Sequence, residues 1–129
     1  MRQQDILLAD SSHTFFGTHI LAEIYGVAKE KLDDIELLMG SIKMGVELSG
    51  ATLCEISFKQ FDPQGCSIVA LLSESHVSIH TYPEIGSAFV DAFTCGTRCE
   101  PKKIIEQLEA DLNATHIEAK EIKRGQVVA

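Results

Sequence analysis

Apolar residues recur along this chain in two rhythms, helical and alternating, and glycines or prolines mark most of the changes between them. Residues 14–25 are dense in Phe, Ile and Leu and stop at Gly26, which predicts a first strand preceded by a flexible extension over 1–13. From 29 to 48, Leu32, Ile35, Met39, Ile42 and Val46 fall at helical spacing with charges between them, and Gly50 supplies a stop. This pattern predicts an amphipathic helix whose stripe covers a sheet, with Gly40 and Gly45 weakening it locally while allowing close packing.

Residues 52–59 then alternate as in a half-buried strand, and Asp62-Pro63-Gln64-Gly65 reads as a turn. After its serine, 67–72 is uniformly apolar, which predicts a strand lying centrally in the sheet. Two more strands are predicted over 77–81 and 88–94, separated by a turn around Pro83 and Gly86. Pro101 opens a second helix where its missing N–H costs nothing; Ile104, Ile105, Leu108 and Leu112 form its buried stripe, and it ends near Asn113. A final strand is predicted over 116–123. The order strand, helix, several strands, helix, strand specifies an α+β two-layer sandwich, a mainly antiparallel sheet with both helices on one face. The other face then needs a cover, which a second copy of the chain could supply.

Composition narrows the function. A chain of 129 residues with 45% hydrophobic and 23% charged content suits one globular domain. The formal net charge is −8, with only 11 Lys and Arg scattered along the chain, which excludes a surface built to neutralise nucleic acid phosphates. The N-terminal residues lack the basic and apolar regions of a signal peptide, and no stretch approaches a membrane span, so a cytoplasmic protein is expected. Cys54, Cys66, Cys95 and Cys99 are even in number, but without a secretory signal reduced thiols are expected; without paired Cys-x-x-Cys spacing, so is the absence of a metal site.

The chemistry concentrates in residues 71–84, where an apolar run passes into hydroxyls, two imidazoles and two carboxylates. Such a cluster is costly to bury unless its groups are paired or used. Strand alternation puts His76, Ser78 and His80 on one face, where they could line a pocket or simply meet solvent. The Ser75 hydroxyl can attack the Glu74 carbonyl and convert the amide to an ester. Removal of the serine α-proton then lets β-elimination cut the chain, and hydrolysis of the resulting dehydroalanine leaves a pyruvoyl ketone. Residue types alone do not separate this chemistry from that of a Ser-His-Asp hydrolase.

The string SESHVSIHTYPE, preceded by FKQFDPQGCS and followed by DAFTCG, closely resembles the bacterial and archaeal class of S-adenosylmethionine decarboxylase. The resemblance runs from the GTHILAE segment at Gly17–Glu23 through the second helix, and the spacing from the processing motif to TCG is highly specific. It implies autocleavage between Glu74 and Ser75, giving a β chain of 1–74 and an α chain of 75–129 headed by a pyruvoyl group derived from Ser75. Ser67 matches the hydroxyl that supports ester formation, His80 the base that assists processing, and Cys95 the thiol that reprotonates the substrate α-carbon. Phe61 and Tyr82 match aromatics that sandwich adenine, and Glu84 a carboxylate that grips ribose hydroxyls.

Glu23 and Asp91 read as polar supports without an assigned role, and Gly17 and His19 as structural. The implied partners are S-adenosylmethionine, whose amine would form a Schiff base with the ketone, the chain's own cleaved fragments, and a second copy in a homodimer with sites near the interface. Ser87 stands where relatives often carry tyrosine, Asp62 where an apolar residue is frequent, and the N-terminal extension is longer than usual. These departures bear on substrate identity rather than self-cleavage. They leave arginine or ornithine as alternative substrates, with a non-catalytic regulatory homologue ranked below them.

Overall fold

The computed structural model describes residues 16–73 and 75–125. The expected extension over 1–13, the first two residues of the predicted opening strand, and Glu74 lie outside them. Strand β1 (Gly17–Tyr25) is followed by a single helical turn α1 (Lys29–Leu32) and by helix α2 (Ile35–Ser49). Strands β2 (Leu53–Gln60), β3 (Cys66–Leu72) and β4 (Ser75–Tyr82) come next, then a 3₁₀ turn over Pro83–Ile85, β5 (Ser87–Cys95), helix α3 (Lys102–Leu112) and β6 (His116–Arg124). The six strands form one sheet in the order β2-β3-β4-β5-β1-β6, and every neighbouring pair is antiparallel.

The α+β sandwich is as expected, and its core lies between the sheet and the helices. Ile24, Ile68 and Ile79 from the strands meet Leu38, Ile42 and Leu108 from α2 and α3, all fully buried. A Cβ on Gly45 would come within 2.9 Å of the Ile104 Cα, so this glycine permits the close crossing of α2 and α3. Gly40, read the same way from the sequence, faces open space and has no such role. Among the described residues no helix is long and apolar enough to cross a membrane.

One predicted element is corrected. The predicted helix over 29–48 is broken at Asp33-Asp34: the Asp34 side chain accepts the Leu37 N–H at 3.1 Å and starts α2 afresh. Asp and Asn compete for backbone donors in this way, which is why they favour caps over helix interiors.

Strand β3 lies inside the sheet as expected, between β2 and β4, and only one of its faces is covered. Cys66, Ile68, Ala70 and Leu72 face the helices, while Val69 and Leu71 point outward. With Leu21 and Phe89 from β1 and β5, these outward residues are 42–50% exposed. The uniform apolarity of β3 therefore reflects an apolar open face.

Candidate active site

Strand β4 carries most of the chemistry, and pairing decides what each of its residues meets. Ser67 of β3 lies directly opposite His80 of β4. The Ser67 Oγ is 2.7 Å from the His80 Nδ1, so the hydroxyl donates to the ring when the ring holds its proton on Nε2. A cavity of about 350 Å³ opens beside this pair, and Phe61, Tyr82 and Glu84 line it together with Ser67 and His80. Five residues singled out from the sequence thus share one cavity.

Cys66 also reaches this cavity but is itself almost wholly buried. Burial pushes its thiol above the ordinary value against the pull of the Thr81 hydroxyl, and the nearby Asp33 carboxylate raises it further. A thiol held protonated in this way is a packing group rather than a nucleophile.

Ser75 and Cys95 sit elsewhere. Paired positions of the β3–β4 hairpin run up to Leu72 opposite Ser75, leaving two residues to join the strands. The Ser75 Oγ donates to the Ser73 carbonyl at 3.3 Å. On β5, Phe93 pairs with His76, so Thr94 and Cys95 lie at the Ser75 end of β4. The Thr94 hydroxyl is buried and makes no hydrogen bond among the described residues.

Strand β4 runs without a register break from Ser75 to His80, and five residues of extended chain span about 16 Å. Within one chain, then, the Ser67–His80 pair stands well apart from Ser75, and the structure does not bring the expected processing residues together.

Between the two groups, on the open face, lies a cluster that sequence reasoning left without a role. Asp91 of β5 is its hub. The Nε2 atoms of His19 and His76 each lie 2.8 Å from its Oδ2, and the Ser78 hydroxyl donates to Oδ1. Arg124 donates to the His19 Nδ1 at 3.1 Å and lies over the Phe93 ring.

His19, His76 and Asp91 place three potential ligand atoms within 4.8 Å of one another, the spacing of a metal site. The hydrogen-bond pattern points away from one. Arginine can only donate, so the His19 Nδ1 accepts and its Nε2 carries the proton that goes to Asp91, leaving no lone pair there for an ion. Burial pushes the Asp91 carboxyl up, but hydrogen bonds from Ser78, His19 and His76 outweigh it and hold the group below the ordinary carboxylate value. A lone carboxylate flanked by Phe89 and Phe93 on the same strand face was the available sequence signal, since such a group requires partners.

Asp91→Asn puts an amide where imidazole N–H groups now donate, and is expected to cost about 2 kcal/mol and lower Tm by roughly 4–8 °C at pH 7. Because the folded carboxyl titrates below its ordinary value, this stabilisation is complete above the carboxylate range and is lost as pH falls through the lowered value. The gap in Tm between wild type and variant should therefore close below about pH 4, as read by thermal melts across pH. A gap independent of pH would mean that the Asp91 charge contributes nothing.

A sheet backed by helices on one face, with a serine–imidazole pair in a cavity and a second serine and a thiol at the far end of the same strands, defines an α+β enzyme equipped for proton transfer. The family model described as S-adenosylmethionine decarboxylase matches residues 18–125. An S-adenosylmethionine decarboxylase proenzyme from Clostridium tetani is 47% identical over 109 residues, covering 84% of this chain and 86% of its own. One from Caldicellulosiruptor saccharolyticus is 44% identical over the same length, covering 84% of this chain and 88% of its own.

The crystal structure of the adenosylmethionine decarboxylase from Aquifex aeolicus superposes with a TM-score of 0.81 at 34% identity, over 90% of this chain and 96% of that one. A Trypanosoma brucei AdoMetDC monomer shares the fold, with a TM-score of 0.59 at 14% identity, over 92% of this chain and 57% of its own. The chain belongs to the S-adenosylmethionine decarboxylase family.

Proposed function

We propose that this chain is a self-processing decarboxylase that converts S-adenosylmethionine to S-adenosylmethioninamine and CO₂, the aminopropyl donor for spermidine synthesis. The observation that carries this reading for a family member is the cavity in which Phe61, Tyr82 and Glu84 stand beside the Ser67–His80 pair. Two aromatic faces and a carboxylate suit a purine nucleoside, with adenine held by stacking and the ribose hydroxyls donating to Glu84. At about 350 Å³ the cavity falls in the range of small-molecule sites. Ornithine has no planar group to stack there, whereas the arginine guanidinium does, which makes arginine the alternative that a substrate assay must separate.

Processing begins with the Ser75 Oγ. Its bond to the Glu74 carbonyl carbon forms as the peptide C–N bond breaks, and the hydroxyl proton passes to the released amine. A base then takes the Ser75 α-proton, the ester C–O bond breaks, and Glu74 leaves as a carboxylate. Water replaces the nitrogen of the dehydroalanine as ammonia, giving the pyruvoyl group at residue 75. His80 is suited to take the α-proton, and Ser67 holds its ring in place.

The surroundings of residue 75 fit such a group, since Thr94 offers a buried hydroxyl that makes no hydrogen bond among the described residues. Once formed, the pyruvoyl ketone supplies an electrophile that captures the substrate amine and accepts the electrons left by CO₂. Cys95 donates the proton that replaces CO₂ on the substrate α-carbon, and Phe61, Tyr82 and Glu84 hold the nucleoside end.

A single chain does not assemble this set, because Ser67 and His80 are about 16 Å along the sheet from Ser75. A homodimer does so when two open faces pack, with Ser75 and Cys95 from one protomer meeting Ser67, His80 and the nucleoside cavity of the other. The outward Leu21, Val69, Leu71 and Phe89 supply the apolar surface for such packing.

Release of CO₂ from carboxyl-labelled S-adenosylmethionine, arginine and ornithine, measured side by side, tests the substrate. Turnover of S-adenosylmethionine alone is expected. Activity confined to arginine or ornithine would overturn the assignment, and a purified chain that neither splits nor gains a pyruvoyl group would point to the regulatory alternative.

A further inference from the structure

We infer that Asp33 is a positioning residue for the nucleoside cavity, pinning the Phe61 loop from the helix layer. The inference rests on the reading that Phe61 contacts substrate. Residues 61–65 join β2 to β3, and the Phe61 N–H donates to the Gly65 carbonyl at 2.8 Å, so the loop is closed on itself. A closed loop is still free to swing unless something outside it takes hold.

Asp33 takes hold at both ends. Its carboxylate Oδ1 accepts the Gly65 N–H at 2.9 Å, and its backbone carbonyl accepts from the Gln60 Nε2 at 2.9 Å. An ionised acceptor makes the first of these bonds a strong one.

The loop is also seated against the rest of the cavity. Gly65 has φ +93°, and a Cβ there would come within 3.1 Å of the Thr81 carbonyl, so its backbone lies close against the end of β4 where Tyr82 and Glu84 follow. Fixing Gly65 therefore fixes the loop that carries Phe61 relative to Tyr82, which lines the same cavity. The anchor itself is tied down, because Lys31 of α1 donates to the Asp111 carbonyl of α3 at 2.9 Å.

The break between α1 and α2 acquires a purpose in this light. Asp34 alone caps α2, which leaves the Asp33 carboxylate available to the loop. Asp33 does not line the cavity and acts only through the loop it holds.

The test uses the full processed chain. Asp33→Ala should cleave between residues 74 and 75 like wild type. Its KM for S-adenosylmethionine should rise about tenfold while kcat stays within about twofold, because the lost contact orients the nucleoside rather than the reacting carbon. Amide hydrogen exchange over 61–65 should accelerate in the same variant. Asp33→Asn, which keeps an Oδ1 acceptor, should recover most of both, a rescue that a general loss of packing would not show.

Phe61→Ala is the comparator. If it raises KM while Asp33→Ala changes neither KM nor loop exchange, the tether is wrong. If Phe61→Ala leaves KM unchanged, the cavity reading fails and takes the inference with it. Should Asp33→Ala not accumulate folded, Gln60→Ala removes the other half of the tether, with an expected rise in KM of about threefold; an unchanged KM there would also overturn the proposal.

Discussion

Ser75→Ala is expected to leave the chain uncut and to lower decarboxylation by at least about 10⁴-fold, since neither the ester nor the ketone can form without the hydroxyl. Intact mass spectrometry should show two fragments meeting at Glu74 and Ser75 for wild type, the second blocked by pyruvoyl, and one full-length species for the variant. The fold should be unaffected, because a hydroxyl whose bond among the described residues is to the nearby Ser73 carbonyl contributes little to stability. The order of steps can be read as well. His80→Ala should stall after ester formation, and hydroxylamine should then split the accumulated ester, releasing a fragment with an unblocked serine at residue 75. A cut, active Ser75→Ala protein would remove the basis of the whole mechanism.

The second large effect is restoration by mixing. His80→Ala and Ser75→Ala should each be inactive alone, yet chains carrying one substitution each, co-expressed, should recover about a quarter of wild-type activity if sites are shared across a two-fold interface. Half of the randomly assorted dimers are then mixed. Each mixed dimer has one site with both native groups and one with neither. The fragments identify the route: only the chain carrying His80→Ala retains Ser75, so only that chain should be cut. Complete sites within single chains would predict no recovery. The roughly 16 Å of strand between Ser75 and His80 is the reason to expect it.

Much of the fold was legible because its signals are local. Alternation in β4 and β5, the stripe of α3 and the stop before Gly50 each depend on neighbours within a turn or two, and β2 to β6 fell within one or two residues of their predicted bounds, while β1 starts three residues later than predicted. Ser67, His80, Phe61, Tyr82 and Glu84 were also legible as a set through the resemblance, and antiparallel pairing of β3 with β4 put them in one cavity. Asp91, Arg124 and Asp33 were not. Asp91 gathers partners 15 and 72 residues away, Arg124 reaches His19 across 105 residues, and Asp33 holds a loop 32 residues on.

By itself, then, the sequence determined most element types, the apolar stripes and the string that carries the family resemblance, because periodicity and a short contiguous string need no knowledge of what lies opposite. Only the tertiary structure decided which groups meet. Strand register set Ser67 on His80 and kept both far from Ser75, and sheet order built the cluster around Asp91. The helix layer brought Asp33 to the Phe61 loop. Contacts of this kind depend on where two distant stretches cross, and a one-residue change of register would have turned every one of those strand side chains to the other face.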